Sequence, residues 1–152
     1  MNIKVIGPLS VHPEEDDEWL VSEPIPVPYF DGDPMTFTIV GLDDDDDVAG
    51  VEAALDAFLA LTPKDRQAAG RDLLTYYEKI AGRSAGEFDC SEENVWGFVQ
   101  PAEIFVYAAH REEQAHVCIL AECDWDVEHG LQISFKNGRE LTKVSDQGDS
   151  YS

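Results

Sequence analysis

The sequence VCILAECDWDVEHGLQI, residues 117–133, decides the fold prediction. Apolar or small side chains recur at every second position through Trp125, which is the period of a strand with one buried face. A second alternating run begins at Leu131 and continues to Phe135. Polar residues separate the two runs. The stretch therefore predicts a β-hairpin with an acidic loop at residues 126–130.

A second hairpin follows directly. Asn137-Gly138 is the strongest hairpin signal in the chain, because both central residues of a type I′ turn need positive φ. It joins the second strand to another at residues 139–144, and an apolar strand at residues 102–109 precedes the first hairpin. These strands predict an antiparallel carboxy-terminal meander.

Two helices are predicted upstream of the meander. The first covers residues 48–61, because apolar positions form one stripe there: Val51, Leu55, Phe58 and Leu59. The second starts at Pro63, with Thr62 as its N-cap and Asp65 in its first turn, and ends near Gly82. Its inward side chains are predicted to be Leu73, Leu74, Tyr77 and Ile80.

The amino-terminal third reads as short extended segments at residues 3–6, 19–21 and 35–42, the first of them ended by Gly7-Pro8. Between the last two, Pro24, Pro26 and Pro28 allow only an edge strand or an extended crossing, and packing as a loop is the favoured interpretation. The order of elements predicts one α+β domain over residues 1–152. Its sheet is mainly antiparallel, and the two helices follow the amino-terminal strands.

The charge of the chain is unusual: 32 Asp and Glu residues against 10 Lys and Arg residues give a net charge of −22. Such a field repels phosphate backbones and anionic lipid headgroups, so neither nucleic acid nor a membrane is expected as a partner. A basic protein or cations fit better. A merely solvated acidic surface and a salt-adapted composition remain alternatives.

The remaining composition predicts a reduced protein of the cytoplasm. Cys90, Cys118 and Cys123 cannot all pair within one chain, and their spacing matches no zinc ribbon and no CxxC motif. The amino terminus lacks the apolar core of a signal peptide, and no run approaches the ~20 apolar residues of a membrane span. No metal and no cofactor is predicted. The oligomeric state stays open.

Five consecutive aspartates, residues 43–47, are the most acidic run of the chain. A calcium loop would need glycine where Val48 stands and glutamate where Ala54 stands, so that template fails. We expect Asp47 or a neighbour to cap the first helix. The other carboxylates should stabilise the positively polarised amino-terminal end of that helix. Weak cation binding remains an alternative.

The acidic loop crowds Asp124, Asp126, Glu128 and His129 around Trp125. One interpretation is a turn in which Gly130 takes positive φ and an aspartate binds turn N–H groups. A second is a binding hot spot formed by residues of this loop. A third is proton transfer or cation binding. No nucleophile elbow, HExxH motif or phosphate-binding glycine loop occurs, so no catalytic residue is predicted and an enzyme is the less favoured hypothesis. The predicted binding residues are Trp125, Asp126, Glu128 and His129, together with Trp96.

Two resemblances follow from these residues. The run Cys123-Asp124-Trp125-Asp126-Val127-Glu128-His129-Gly130-Leu131, with the later Asn137-Gly138, resembles a signature of small uncharacterised bacterial domains and covers residues 95–145. In size, acidity and α+β order the chain is also similar to the acidic immunity proteins that accompany polymorphic bacterial toxins. That similarity implies a cytoplasmic inhibitor of a basic toxin or enzyme.

Overall fold

A computed structural model of the chain describes residues 2–3, 6–11, 19–41, 45–81, 90–108 and 114–150. Ten strands and two helices are described, and the α+β prediction is confirmed. They are, in chain order, β1 (Asn2–Ile3), β2 (Gly7–Val11), β3 (Trp19–Ser22), β4 (Ile25–Val27), β5 (Asp33–Met35), β6 (Phe37–Val40), α1 (Asp45–Leu59), α2 (Pro63–Ala81), β7 (Val99–Tyr107), β8 (His116–Cys123), β9 (Leu131–Lys136) and β10 (Glu140–Ser145).

The main sheet has eight strands in the order β1-β2-β3-β6-β7-β8-β9-β10, and β4 and β5 form a separate two-stranded ribbon. The carboxy-terminal meander, β7 to β10, is antiparallel as predicted. In the middle of the sheet β6 and β7 pair in parallel, which the sequence did not predict. Parallel neighbours need a crossover of a dozen or more residues, and the segment with α1 and α2 supplies it.

The two predicted hairpins of the meander are confirmed. β8 pairs with β9 from His116↔Lys136 to Ala121↔Leu131. Asn137 and Gly138 have φ values of 55° and 80°, and the Arg139 N–H donates to the Lys136 carbonyl at 3.2 Å. This is the geometry of a type I′ turn.

The stripe of α1 is confirmed, because Val51, Leu55 and Phe58 are fully buried. The helix begins at Asp45 and ends at Leu59, earlier at both ends than the predicted span. Aspartates favour a first helical turn, so the acidic run extends the helix toward its amino terminus. Asp47 therefore lies in the first turn of α1 and is not its N-cap, so that part of the prediction is wrong. Capping by a preceding aspartate and the cation alternative depend on residues 43–44 and on the side chains of residues 45–47, which lie outside the description.

Helix α2 begins as predicted. The Thr62 N–H and hydroxyl both donate to the Asp65 carboxylate, at 2.7 and 3.1 Å. Tyr77 is buried against the core, but Ile80, one helical turn further, is 44% exposed. The prediction that Ile80 faces inward is therefore wrong, because the apolar stripe runs one turn past the packing of α2.

The proline-rich segment is an edge strand rather than the favoured loop. β4 pairs with β5, with Pro26 opposite Pro34, and the 3₁₀ turn Pro28–Phe30 connects toward β5. A two-stranded ribbon leaves outward N–H positions unpaired, and these tolerate proline. Residues Asp31 and Gly32 form the turn, with φ values of 59° and 87°.

Two other prolines were assigned wrongly. Gly7-Pro8 opens β2 instead of ending a strand. Pro101 lies inside β7, which begins at Val99 and not at residue 102 as predicted, next to the register shift between Pro101 and Glu103. The register skips Ala102, while Pro101 itself pairs with Ala121. The pairing with β6 begins only at Ile104, so β7 has β8 alone beside Pro101 and the missing N–H is tolerated there.

The core lies between the helices and one face of the sheet, where Tyr29, Phe58 and Phe135 meet with ring centroids 5.7–6.0 Å apart. Cys118 and Cys123, five residues apart in β8, are buried on opposite faces, and burial raises the pKa of each thiol to about 11. Such thiols stay protonated near neutral pH, so both act as small apolar groups. No helix among the described residues is both long enough and apolar enough to span a membrane.

Candidate functional site

Two acidic segments that are far apart in the sequence meet at one end of the sheet. Residues 124–130 follow β8, and residues 146–150 follow β10. Because β9 is antiparallel to both strands, β8 and β10 run in the same direction, and the two segments lie at the same end of the sheet. Gln147 joins them, since its N–H donates to the His129 carbonyl at 3.1 Å and its amide nitrogen to the Ala121 carbonyl at 2.7 Å. We call this surface the acidic end. Its carboxylates are Asp124, Asp126, Glu128, Asp146 and Asp149.

The loop of residues 124–130 is an ordered turn. Asp126 Oδ1 accepts the His129 N–H at 3.1 Å and lies 2.9 Å from His129 Nδ1. The Gly130 N–H donates to the Asp126 carbonyl at 3.0 Å, and Gly130 has φ of 68°. An ideal Cβ on Gly130 would overlap the Gln147 side chain. The turn interpretation therefore accounts for Asp126 and Gly130 completely, and it leaves Glu128 and His129 exposed.

Trp125 anchors this turn to the core. It is half-buried and meets Tyr77 edge to face, with ring centroids 5.3 Å apart. Its indole nitrogen is buried without a hydrogen-bond partner. As a large, partly covered ring, Trp125 holds the loop in place more than it offers a surface for contact.

Val127 is the residue that the sequence analysis missed. It is 81% exposed at the tip of the loop, between Asp126 and Glu128. A valine between two acidic residues looks like part of a strand alternation, and only the turn formed by Asp126 shows that it points to solvent. A single exposed apolar side chain is ordinary on a protein surface, so Val127 gains meaning only from the ordered charges beside it.

The acidic end has a strongly negative local potential. Burial raises the pKa of Tyr76 to about 12, and the charges of Asp146, Asp126 and Asp149 add to that shift. The hydrogen bond and the charge of Asp126 raise the pKa of His129, and Asp146 and Glu128 act in the same direction. Two titratable groups on different elements thus sense carboxylates from both segments.

The titration of His129 provides a direct test of this field. The folded-state pKa of His129 should lie above its ordinary value near 6.5, because the Asp126 carboxylate stabilises the protonated imidazole. The stabilising contribution is then fully present below about pH 6.5 and is lost as the pH rises through the folded pKa. A histidine titration by NMR should show the raised pKa, and Asp126→Asn should return it toward 6.5. Asp124→Asn is the control, expected to change it little. A wild-type pKa at or below 6.5 would contradict the described pair.

Trp96 lies with a different set of residues. It belongs to the 3₁₀ turn Val95–Phe98, packs on Tyr29 and Phe30, and donates its indole N–H to the Arg66 carbonyl at 2.7 Å. Trp125 contacts Tyr77 instead. The structure therefore gathers Trp125, Asp126, Glu128 and His129 in one loop and places Trp96 beside a separate cavity.

The other histidine with a described position is buried. A histidine between two polar stretches would be expected on the surface, but His116 opens the interior strand β8, and its Nδ1 lies 2.9 Å from the Gln114 carbonyl. His110 lies outside the described residues. Within the described ranges, no three His, Cys, Asp or Glu side chains are grouped so as to hold a metal ion.

The fold and the acidic end define a small α+β domain with a negatively charged cluster of loops at one end of its sheet. The chain belongs to the family described as a domain of unknown function (DUF6985), whose model matches residues 6–151. Comparison with curated proteins and with solved structures gives no significant match.

Proposed function

We propose that the protein is an acidic protein-binding domain that receives a basic partner at its acidic end. The observation that carries this proposal is the hydrogen bond from the Gln147 N–H to the His129 carbonyl, which joins residues 146–150 to residues 124–130, while the Gln147 amide nitrogen donates to Ala121 in β8. That connection concentrates five carboxylates on ordered backbone. Ordered charges bind a partner without the entropy that flexible tails lose.

The charges and the valine have separate roles in this interaction. With a net charge of −22, the chain attracts a basic partner over a distance, which speeds association. Val127 is exposed at the centre of the charged loop and supplies an apolar contact once the partner has arrived. Glu128 and His129 border it, so the partner should present an apolar patch surrounded by Lys or Arg.

An immunity-type inhibitor of a basic toxin or enzyme is the most concrete form of this function. Inhibition would be steric: the acidic end covers a basic active site or nucleic-acid groove and excludes its substrate. This form needs no cofactor and no catalytic residue in the inhibitor. It places the protein in the cytoplasm, beside the partner it neutralises, with neither nucleic acid nor membrane as its own ligand.

The Asp126–His129 pair supports a second candidate, proton transfer or cation binding. A carboxylate that holds Nδ1 leaves Nε2 free to exchange a proton, as in many general bases. The His129 side chain is 65% exposed, however, and a general base works best in a site that excludes water. Binding is therefore the better-supported function. A salt-adapted composition competes with both, because exposed acidic residues also occur on α1 and α2, among them Asp56, Asp72 and Glu78.

Association kinetics test the proposal. The partner is captured from native extract on the immobilised protein, identified and purified, and its association is followed by stopped flow. The association rate should fall steeply between about 0.05 and 0.5 M salt, where exposed charges become screened. Glu128→Gln should slow association, and Val127→Ser should speed dissociation with a loss of about 1 kcal/mol or more in affinity.

Glu140→Gln is the matched control. Glu140 is equally exposed but opens β10, at the opposite end of that strand from residues 146–150. It should leave the association rate close to the wild-type value. Capture of nucleic acid alone, or an association rate that salt does not change, would reject a basic protein partner at the acidic end.

A further inference from the structure

A second concave site lies away from the acidic loop. A cavity of about 240 Å³ lies between the β4–β5 ribbon, the 3₁₀ turn Val95–Phe98 and the first turns of α2. Its apolar walls include Phe30, Met35 and Trp96, and Arg66 and Asp33 add charge. The volume is below the ~300–1,000 Å³ of pockets for drug-sized ligands, so it suits a molecule with one ring.

Arg66 is the only cation among the residues that line this cavity, and its side chain is only 19% exposed. Its Nη2 lies 2.9 Å from Asp31 Oδ2, while its Nε is buried without a hydrogen-bond partner. A guanidinium binds carboxylates best through two parallel N–H donors. The bond to Asp31 engages one nitrogen, so half of that capacity stays unused.

Tyr29 adds a second unpaired donor behind the wall of the cavity. Its side chain is fully buried, its hydroxyl has no hydrogen-bond partner, and its ring packs on Phe30 and Trp96. Burial raises the pKa of Tyr29, and the charge of Arg66 opposes that rise, so the two groups are close. A buried donor without an acceptor is costly. Of the two, only Arg66 lines the cavity, so it is the guanidinium that can receive an oxygen acceptor from a bound molecule.

We propose that this cavity binds a small monocarboxylic acid with one aromatic ring, whose carboxylate pairs with Arg66 and whose ring packs between Phe30 and Trp96. Asp31 competes with that carboxylate for the guanidinium. The side chain of Asp31 is 62% exposed, and exposed ion pairs contribute only about 0–1 kcal/mol, so a ligand displaces it readily. Release from Asp31 lets the guanidinium turn and present Nε together with an Nη.

The charges around the cavity limit the ligand to a single negative charge. Asp33 is exposed and lines the cavity, and the chain as a whole carries a charge of −22. Both disfavour phosphates and dicarboxylates more than a monoanion, because repulsion grows with the charge of the ligand. The ring supplies the remaining affinity through aromatic contacts.

Titration of the full chain with phenylacetate at about 0.15 M salt tests this inference. The reporter is the NMR signal of the Trp96 indole N–H, which donates to the Arg66 carbonyl and is assigned with Trp96→Phe. Phenylacetate should shift this signal with a Kd of about 10 µM–1 mM, as expected for a ligand of about ten heavy atoms. The neutral analogue 2-phenylacetamide, which has the same shape, should bind at least about tenfold more weakly.

Three variants separate the roles of the charges. Arg66→Gln should weaken phenylacetate at least about tenfold, while Arg71→Gln, an exposed arginine further along α2, should leave it unchanged. Asp31→Asn should strengthen it several-fold, because the competing carboxylate is gone. Asp31 is exposed, so Asp31→Asn keeps the test valid even if Arg66→Gln does not fold. Equal binding of the amide and the acid, or weaker binding by Asp31→Asn, would overturn the inference. Either result leaves the proposal for the acidic end standing.

Discussion

Gly138→Ala should lower the free energy of unfolding by about 2–5 kcal/mol. Gly138 has φ of 80°, and a side chain in that region costs about 1–2 kcal/mol. An ideal Cβ would also overlap the backbone carbonyl of Ala54 in α1, and overpacking adds about 1–3 kcal/mol. Denaturant unfolding of both proteins measures the difference. The β9–β10 turn thus supports the packing of a helix as well as the hairpin.

Gly32→Ala separates the two contributions. Gly32 has φ of 87°, but no atom lies within 4 Å of an ideal Cβ there. Gly32→Ala should therefore lose only the free energy of the strained backbone, about 1–2 kcal/mol. If Gly138→Ala costs no more than Gly32→Ala, the close approach of α1 to this turn is wrong. If Gly138→Ala matches wild type, the hairpin assignment fails as well.

Trp125→Ala should destabilise the fold by about 2–4 kcal/mol. Fully buried aromatic side chains cost about 3–5 kcal/mol when cut to alanine, and Trp125 is half-buried against Tyr77. Its buried indole N–H has no hydrogen-bond partner, and removing this unfavourable group offsets part of the stability that is lost. Urea midpoints with an unchanged m-value measure the effect.

Trp125→Phe is the matched variant, because it keeps a ring against Tyr77 and removes the unpaired N–H. It should remain within about 1 kcal/mol of wild type. Glu128→Ala and His129→Ala should leave the urea midpoint close to wild type, because both side chains are exposed. A loss of stability in these two variants as large as in Trp125→Ala would show that the loop is more than a turn held by Trp125. A melting temperature that divalent cations raise in wild type but not in His129→Ala would instead support the cation-binding alternative.

The carboxy-terminal meander was predictable because its signals are local. The period of two in residues 117–123 and 131–135 assigns faces, and Asn137-Gly138 sets the turn that pairs β9 with β10. The same holds for α2, where Thr62 and Asp65 interact within one turn. In each case the contacts that decide the structure lie within a few residues.

The proline assignments failed because a proline restricts the positions in a sheet that it can occupy, but the sequence does not show which strands lie beside it. Pro26 and Pro101 both lie in strands, one in a two-stranded ribbon and one at a bulge. In both places the missing N–H removes no ladder bond. Whether a position is at an edge depends on which strand comes next to it, and that is a property of the whole sheet.

The loop of residues 124–130 shows the same division for the candidate site. Its turn could be predicted from Asp126 and Gly130, since a capping carboxylate and positive φ are local properties. Its contact with Gln147 could not be predicted, because β9 and β10 must first bring the chain back to this end of the sheet.

By itself the sequence determined the α+β class, the meander, the two helices and the net charge of −22. Periodicity, capping and total charge are properties of neighbouring residues or of simple sums, and both can be read without coordinates. Only the tertiary structure decided that β6 and β7 run parallel, that Gln147 joins two acidic segments, and that Arg66 and Trp96 share a cavity. Each of these needs residues 18 or more positions apart to meet, and packing of the entire chain is what selects such contacts.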